Sequence, residues 1–378
     1  MIRSLTEDET LRLRTRSQQL TGRRAADVAE VVRRMGAMQA QSTRDARLAV
    51  RPRGDGIDAA AVRRACNETR SVVRTWAMRG TLQMLPARDA GWIIDLYRPP
   101  PDVLNARQRE LGLTAELLAR ALPAITEILS ERGPLTRATL VSALSAEGVV
   151  IDPKTQAPAH LIAYAARQGL ICRGPDLGDD EPTYVLLTAW AGEQVPMDPD
   201  QALPELARRY VGAHGPATPA DFAYWSGLAL GRARRGFQLI ADELEEVDAA
   251  GERAWMLPVE ELPDAAPSVR LLPHFDEYLL GYRNRDLALP PRFARRVQAG
   301  GGWIRAAMVV DGRVMGTWAQ QRKAGQTVVL VQPFERLDLA IVSGLEAEAD
   351  DLGRFQGIAT RLRIEQGLMS GTDHLQTR

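Results

Sequence analysis

The feature that most constrains the fold of this chain is a short segment that occurs twice. Residues 133–140 read GPLTRATL, and residues 215–222 read GPATPADF. In both copies a predicted helix ends at Gly-Pro, and a threonine, Thr136 or Thr218, stands where the next helix needs its N-terminal cap. A segment repeated in this way predicts units of one architecture arranged in tandem.

Hydrophobic periodicity extends the repeat to three rounds, each of which predicts three helices followed by a β-hairpin. The helices are predicted at 6–19, 25–38 and 58–66, then as a pair within 114–144 and one at 157–168, then within 203–228 and at 230–241. The hairpins are predicted at 71–86 with Arg79-Gly80 as the turn, around an acidic loop at 174–182, and at 244–258. Three helices and a hairpin in this order are typical of a winged helix.

The C-terminal part has a different pattern. Residues 301–334 predict a β-meander, in which Asp311-Gly312 is a strong two-residue turn. An amphipathic helix with an acidic exposed face is predicted at 337–355. The predicted fold class is therefore α+β, with three tandem winged-helix units and a β-rich domain at 1–112, 113–197, 198–265 and 266–378.

Composition excludes several classes of protein. No apolar run approaches the roughly 18–20 residues that cross a membrane, and the first residues, MIRSLTEDET, lack the apolar centre of a secretion signal. Cys66 and Cys172 are the only cysteines, which excludes a disulfide framework and a CxxC zinc or redox site. We expect a cytoplasmic protein that does not bind membranes, and a monomer.

The net charge is zero, but the charges are unevenly distributed. Residues 1–110 contain 21 basic and 13 acidic residues, residues 111–260 contain 12 and 21, and residues 261–378 contain 15 and 14. A basic N-terminal third is typical of a surface that meets a polyanion. Almost all of the basic residues are arginines, which a GC-rich genome explains more simply than selection for phosphate binding.

Most catalytic and cofactor motifs are absent from the sequence. There is no GxxxxGK[ST] phosphate-binding loop, and the four histidines show no metal-ligand spacing. The segment around Ser226 lacks the flanking glycine of a nucleophile elbow. Neither of the two lysines, Lys154 and Lys323, stands in a context that suggests an amine nucleophile. We therefore expect no cofactor and no metal ion.

Two glutamines, Gln39 and Gln41, flank a single alanine just before an arginine-rich stretch. On a helix their side chains would point about 200° apart, whereas on an extended segment they share one face. Gly36 weakens the preceding helix, and Ser42 and Thr43 favour its end. If the backbone straightens at Gln39, both side-chain amides can converge on the same small target. Spacing alone favours the simpler interpretation, in which the pair caps the helix end or faces solvent.

Four segments change this balance, because together they resemble one bacterial family. They are MQAQ, RTWAMRGTLQMLPARD, GPATPADFAYWSGL and LLPHFDEYLLGYRNRD, at 38–41, 74–89, 215–228 and 271–286. With the tandem winged-helix order they resemble the winged-helix DNA glycosylases that unhook interstrand crosslinks, over essentially the whole chain. The resemblance implies that Gln39 and Gln41 are catalytic, since they match the family's Gln-apolar-Gln motif. It also implies a concave cradle for duplex DNA.

Neutral glutamines suit a substrate that is already activated. A purine alkylated at N7 or N3 is cationic and departs as a neutral base, so no general acid is needed. What remains is to position a water molecule and to stabilise a cationic sugar, for which each amide offers an acceptor and two donors. This chemistry agrees with what the resemblance implies, which is a monofunctional DNA glycosylase for alkylated and crosslinked purines in duplex DNA that confers resistance to a genotoxic alkylating natural product.

Arginines near the motif are candidates for contact with DNA phosphates. Four follow the glutamines, two flank the first hairpin, and two lie within 271–286. The predicted DNA-binding residues are Arg44, Arg47, Arg51, Arg53, Arg74, Arg79, Arg283 and Arg285. A solvated charged stretch is the simpler explanation for the first four. For three further arginines at 232–235, both interpretations are open.

Two other functions are compatible with the sequence. Most winged helices only bind DNA, so the chain could be a transcriptional regulator, although the 157–168 helix has a single basic residue, Arg167, and no dimerisation helix is evident. His274 and Asp276 could form a general base with its orienting carboxylate, which would make a hydrolase unrelated to DNA. A strand that leads into a turn is the simpler explanation for that segment.

Overall fold

The computed structural model describes residues 2–100, 103–177, 181–192, 194–262, 267–323 and 326–365. Within these residues the chain has an α+β fold, in which groups of helices and short strands are followed by a β-rich C-terminal part. The last residues of the predicted C-terminal domain, after 365, lie outside the described residues, and so do Asp179 and Asp180 of the predicted acidic loop.

The elements fall into four consecutive groups. The first consists of β1 (Arg3–Leu5), α1 (Glu7–Ser17), α2 (Val28–Met35), β2 (Met38–Gln39), α3 (Thr43–Val50), α4 (Ala59–Asn67), β3 (Val72–Trp76), β4 (Leu82–Pro86), α5 (Ala90–Tyr97) and α6 (Ala106–Glu110). The second consists of α7 (Ala115–Arg132), β5 (Leu135–Thr136), α8 (Arg137–Ala146), α9 (Ala157–Arg167), β6 (Ile171–Leu177), β7 (Glu181–Leu186) and α10 (Leu187–Ala191).

The remaining two groups complete the described chain. The third consists of α11 (Pro199–His214), α12 (Pro219–Ser226), α13 (Leu230–Leu239), β8 (Glu245–Ala249) and β9 (Glu252–Met256). The fourth consists of β10 (Val269–Leu272), α14 (Glu277–Leu280), α15 (Ala294–Val297), β11 (Gln298–Gly300), β12 (Trp303–Ile304), β13 (Ala307–Val310), β14 (Arg313–Lys323), β15 (Gln326–Pro333), α16 (Leu339–Gln356) and β16 (Thr360–Ile364).

One order of elements, helix–strand–helix–helix–strand–strand, occurs in the first two groups, and the third differs only in its short strand. The short strand after the leading helix pairs with the last strand of the same group: β2 with β4, and β5 with β7. In the third group a single residue, Ala217, takes the place of this short strand and pairs with Trp255 of β9. The predicted caps are confirmed, because the hydroxyls of Thr136 and Thr218 accept hydrogen bonds from the backbone of α8 and α12.

The first group corrects the sequence prediction in two respects. Helix α3, which starts right after the two glutamines, was not predicted, because its buried Ala46, Ala49 and Val50 are interrupted by arginines. The Ser42 hydroxyl caps this helix by accepting a hydrogen bond from the Asp45 N–H. Helix α1, predicted to lead the first round, instead packs against α11 of the third group.

Sheets join the groups to one another. The first two share a six-stranded sheet in the order β2-β4-β3-β6-β7-β5, in which β2 is an edge strand. Strand β1 lies parallel to β8 in a three-stranded sheet with β9. The C-terminal part forms a five-stranded sheet in the order β10-β13-β14-β15-β16. Its predicted Asp311-Gly312 turn is confirmed, since Val310 pairs with Arg313.

Strand β2 lies between two apolar cores. Met38 belongs to a cluster that joins the first group to the C-terminal sheet, where Trp318 and Leu345 also lie. Ala37 belongs to a second cluster, which joins the first group to Tyr210 and Trp225 of the third. The short segment that carries the glutamines is therefore held on both sides by buried contacts. Among the described residues, no helix is long and apolar enough to span a bilayer.

Candidate active site

The backbone straightens at the glutamine pair, as the sequence analysis anticipated for a convergent site. Met38 and Ala40 are fully buried, Gln39 is half-buried and Gln41 is exposed. Because side chains alternate along an extended segment, the two inward residues anchor the chain and both amides lie on the opposite face. The Ala40 N–H donates to the Leu82 carbonyl at 2.8 Å, which continues the β2–β4 pairing.

A directed chain of hydrogen bonds orients the two amides. Arg79 Nη2 donates to Gln39 Oε1 at 3.0 Å, and Gln39 Nε2 donates to Gln41 Oε1 at 3.3 Å. A guanidinium group can only donate, so Arg79 determines which end of the Gln39 amide is the oxygen. Each amide oxygen accepts one hydrogen bond and keeps a second lone pair, and the two side chains differ in that Gln41 is exposed whereas Gln39 is half-buried.

The end of helix α12 determines where Arg79 lies. Gly227 follows α12 with a left-handed backbone, at φ 75°. A Cβ at this position would lie 2.9 Å from Arg79 Cγ and 3.3 Å from the Arg79 backbone, so only glycine permits this approach. Arg79 itself has φ 56° in the turn between β3 and β4, which confirms the predicted position of that turn.

A buried carboxylate contacts the backbone of the pair. Glu277 Oε1 accepts the Gln39 N–H at 2.7 Å, and Glu277 Oε2 accepts the indole N–H of Trp225 at 2.9 Å. Burial raises the pKa of the Glu277 carboxyl, and the nearby Arg79 charge opposes that rise. Glu277 lies within a segment that supports the family resemblance, but nothing in its spacing distinguished it, since its partners are distant in sequence.

Three of the predicted DNA-binding arginines are structural, and that part of the prediction is wrong. Arg51 is 1% exposed and forms ion pairs with Glu348 at 2.7 Å and Asp351 at 2.6 Å. Arg53 is completely buried, and its guanidinium donates two hydrogen bonds to Asp276 at 2.8 and 2.7 Å. These arginines compensate buried carboxylates, so they cannot reach a phosphate.

The third of these is Arg74, which is buried in the sheet of the first two groups. Its guanidinium donates to both oxygens of Asp176 at 2.9 Å and to the Thr43 hydroxyl at the same distance. Arg47 also pairs with Asp176, at 3.2 Å, but keeps about a quarter of its side chain exposed. Asp176 therefore neutralises positive charge beside the site.

The remaining predicted arginines lie at the surface. Arg44 is exposed in the first turn of α3, where it donates to the Gln320 side chain. Arg283 is exposed, and Arg285 lies against the ring of Tyr224 on α12 with its guanidinium 5.3 Å from the ring centroid. For these arginines, and for Arg47 and Arg79, contact with DNA stays a prediction.

His274 and Asp276 do not form the proposed pair of a general base and its orienting carboxylate. His274 Nδ1 faces Asp45 at 3.3 Å, and its ring lies 5.6 Å from that of Trp303. Asp276 is buried, bound to Arg53, and accepts the Tyr278 N–H at the start of α14. The hydrolase hypothesis that depended on this pair is therefore wrong. In the described part of the chain, no three histidine, cysteine, aspartate or glutamate residues are grouped to hold a metal.

Comparisons with known proteins agree with the resemblance found in the sequence. The family model "DNA glycosylase AlkZ-like" matches residues 32–355. A protein of Streptomyces sahachiroi described as an interstrand DNA cross-link repair glycosylase is 32% identical over 361 residues, which cover 92% of this chain and 95% of that protein. The solved structure of Streptomyces sahachiroi DNA glycosylase AlkZ has a TM-score of 0.80 and 30% identity, and the match covers 96% of this chain and 100% of that one. The chain belongs to the AlkZ-like DNA glycosylase family, and it is therefore an enzyme.

Proposed function

We propose that this enzyme is a monofunctional glycosylase that hydrolyses the N-glycosidic bond of purines made cationic by alkylation at N7 or N3. We further propose that it unhooks interstrand crosslinks in duplex DNA and so confers resistance to a genotoxic alkylating natural product. The related Streptomyces sahachiroi protein, described as an interstrand cross-link repair glycosylase, supports the crosslink as a substrate.

The observation that carries the proposal is the direction of the hydrogen bonds from Arg79 through Gln39 to Gln41. Gln41 is the exposed member of the pair, and its Oε1 accepts one hydrogen bond and keeps a second lone pair. In our mechanism this oxygen accepts a hydrogen bond from the attacking water and faces the positive charge that develops on the sugar. Oriented dipoles of this kind contribute about 3–4 kcal/mol each to transition-state stabilisation.

The substrate supplies the rest of the activation. An alkylated purine leaves as a neutral base, so the absence of an acid or base side chain in the Gln39–Gln41 pair is acceptable. Water attacks the anomeric carbon, the glycosidic bond breaks, and the water proton is released to solvent. An unmodified purine is a far poorer leaving group, so the enzyme discriminates by the chemistry of the lesion as well as by contacts.

Exposure of Gln41 suits a crosslinked base. Such a base is tethered to the opposite strand and cannot rotate freely into a deep pocket, as an ordinary flipped base does. We propose that the first three groups of elements are winged-helix units, bounded near residues 112, 197 and 265, that form a concave cradle. The duplex would lie across the exposed Gln41 and the surface arginines Arg44, Arg283 and Arg285.

Three further exposed arginines extend this surface. Arg232, Arg234 and Arg235 lie on α13, the third helix of the third group, which begins just beyond Gly227. Both Arg232 and Arg79 act electrostatically on Tyr97, so the start of α13 is near the Arg79 side of the site. We propose that α13 contacts the phosphates of flanking DNA, and that the enzyme acts as a cytoplasmic monomer.

Release of free base from a duplex containing N7-methylguanine tests the proposal. Wild-type enzyme should release the base, Gln41→Ala should not, and Gln201→Ala, an exposed glutamine on α11, should behave as wild type. A duplex crosslinked through guanine N7 atoms, run on a denaturing gel, tests unhooking in the same way. Sequence-specific protection of undamaged DNA without any base release would instead indicate the transcriptional regulator.

A further inference from the structure

The mechanism above does not use the buried carboxylate that contacts the candidate catalytic strand. We propose that Glu277 is a positioning residue, which together with Arg79 holds Gln39 so that the exposed Gln41 amide faces the reaction. This inference rests on the function proposed above. It is carried by the two hydrogen bonds that Glu277 accepts, from the Gln39 backbone and from Trp225.

The place of β2 in the sheet explains why a carboxylate is needed there. Successive N–H groups of a strand point to alternate sides, and the Ala40 N–H points towards β4. The Gln39 N–H therefore points to the outer side of the sheet, where β2 has no neighbouring strand. Glu277 Oε1 accepts this N–H and takes the place of the missing strand. Without it, an edge strand of two residues would be weakly fixed.

Trp225 fixes the carboxylate in turn. Both Glu277 oxygens face N–H donors, so an acceptor is required at each, and only the ionised carboxylate provides two. Glu277 begins α14 and is 1% exposed, and Trp225 is equally buried near the end of α12. Replacement of one oxygen by an amide NH2 would set two donors against each other, which costs about 1–3 kcal/mol in a buried site.

Charge balance gives Glu277 a second role. Arg79 is needed to orient the Gln39 amide, but a lone positive charge would oppose the cationic sugar that forms in the reaction. The Glu277 carboxylate is buried, and Arg79 is the charged group that acts on it most strongly. The pair together is neutral, so Arg79 orients the amides without repelling the transition state.

The first test is the single-turnover rate of N7-methylguanine release by Glu277→Gln, with saturating enzyme. We expect a rate about 100-fold lower than wild type, as is usual when reacting groups are slightly displaced, with duplex affinity within about twofold of wild type. Glu346→Gln, an exposed change on α16, is the matched control and should keep the wild-type rate. A thermal melt shows whether each variant is folded.

The outcomes separate this inference from the proposed function. If wild type releases no base, the proposed function fails. If wild type releases base and folded Glu277→Gln is as fast, the function stands and the positioning role is wrong. If the rate loss of Glu277→Gln only matches its loss of folded protein, Glu277 is merely structural and the inference is also overturned.

Arg79→Met provides an independent test that does not disturb a buried carboxylate bond, because Arg79 lies in a half-exposed turn. We expect slow release at saturating enzyme, with an unchanged dependence of duplex affinity on salt. An unchanged rate, with a salt slope reduced by about one, would make Arg79 a phosphate contact and would overturn its positioning role. The double variant should be no slower than the slower single variant, since both act through Gln39.

Discussion

Arg53 is a completely buried charge. Its guanidinium donates to Asp276, to the Gln18 side chain and to the Ala49 carbonyl, so its removal takes away the ion-pair partner of Asp276. Arg53→Met should lower the free energy of unfolding by about 3–5 kcal/mol, because Asp276 is left buried and unpaired. Urea denaturation measures this, with exposed Arg120→Met as the control. A loss below about 1 kcal/mol would contradict the structural role.

His214 makes stability depend on pH. It is completely buried on α11, stacks on Tyr210 with ring centroids 4.6 Å apart, and burial lowers its pKa to about 3. In the unfolded chain this imidazole takes up a proton near pH 6.5, whereas in the folded protein it stays neutral to a much lower pH. The free energy of unfolding therefore falls as the pH drops below 6.5. At pH 5 the loss amounts to roughly 2 kcal/mol.

His214→Asn isolates this effect, since an amide can still donate to the Tyr210 carbonyl but does not titrate. Between pH 7.5 and pH 5, the urea midpoint of unfolding should fall further for wild type than for the variant. Equal falls in both proteins would assign the acid sensitivity to other groups.

At the scale of single residues, the sequence allows the prediction of functional residues that lie together in one short motif. Gln39 and Gln41 were identified because the motif holds both residues and an extended segment brings them to one face. Arg53 was misassigned because its partner is 223 positions away, and Glu277 was missed because its contact with Gln39 spans 238 positions. Such pairings form only when distant elements pack together.

Helix α3 links the glutamine pair to the surface. It begins two residues after Gln41 and presents Arg44 in its first turn, which is exposed to solvent. Arg44→Ala should weaken binding to undamaged duplex and lower the slope of log affinity against log salt by about one, as for the loss of one phosphate contact. Arg120→Ala on α7 is the matched control. A slope that does not change would remove Arg44 from the DNA surface.

At the scale of elements, local chemistry predicted the threonine caps at Thr6, Thr136 and Thr218 and the turns that carry glycine. Thr6 forms a complete capping box with Glu9, and Asp311-Gly312 forms a tight turn with φ of 48° and 83°. The two-residue strands β2 and β5 were not predicted as such, because pairing with distant strands defines them. Helix α3 was missed because its arginines conceal a narrow apolar face.

The whole molecule depends on its C-terminal sheet. Arg51 pairs with Glu348 of α16, and the apolar core of the first group continues into Leu271 and Trp318. A chain ending at residue 262 should therefore lose amide-exchange protection over 28–67, while the second group, which has its own core, keeps protection over 115–167. Full protection in both regions would show that the first group folds alone.

At this scale the tandem order of elements was predictable from the sequence, but the way the groups join was not. The second group adds to the sheet of the first through a single pairing, Arg74 with Arg173. Strand β1 leaves the first group and pairs with β8. Neither contact has a local signal, because both depend on edges that become available only after each group has folded.

The central claim is that the oriented glutamine pair performs the chemistry as one unit. The most direct measurement is the single-turnover release of N7-methylguanine by Gln39→Ala, Gln41→Ala and the double variant, each at saturating enzyme. We predict that either single change lowers the rate at least about 100-fold, that the double variant is no slower, and that duplex binding is nearly unchanged. Single variants that release base at the wild-type rate would contradict it, because the reaction would then occur elsewhere.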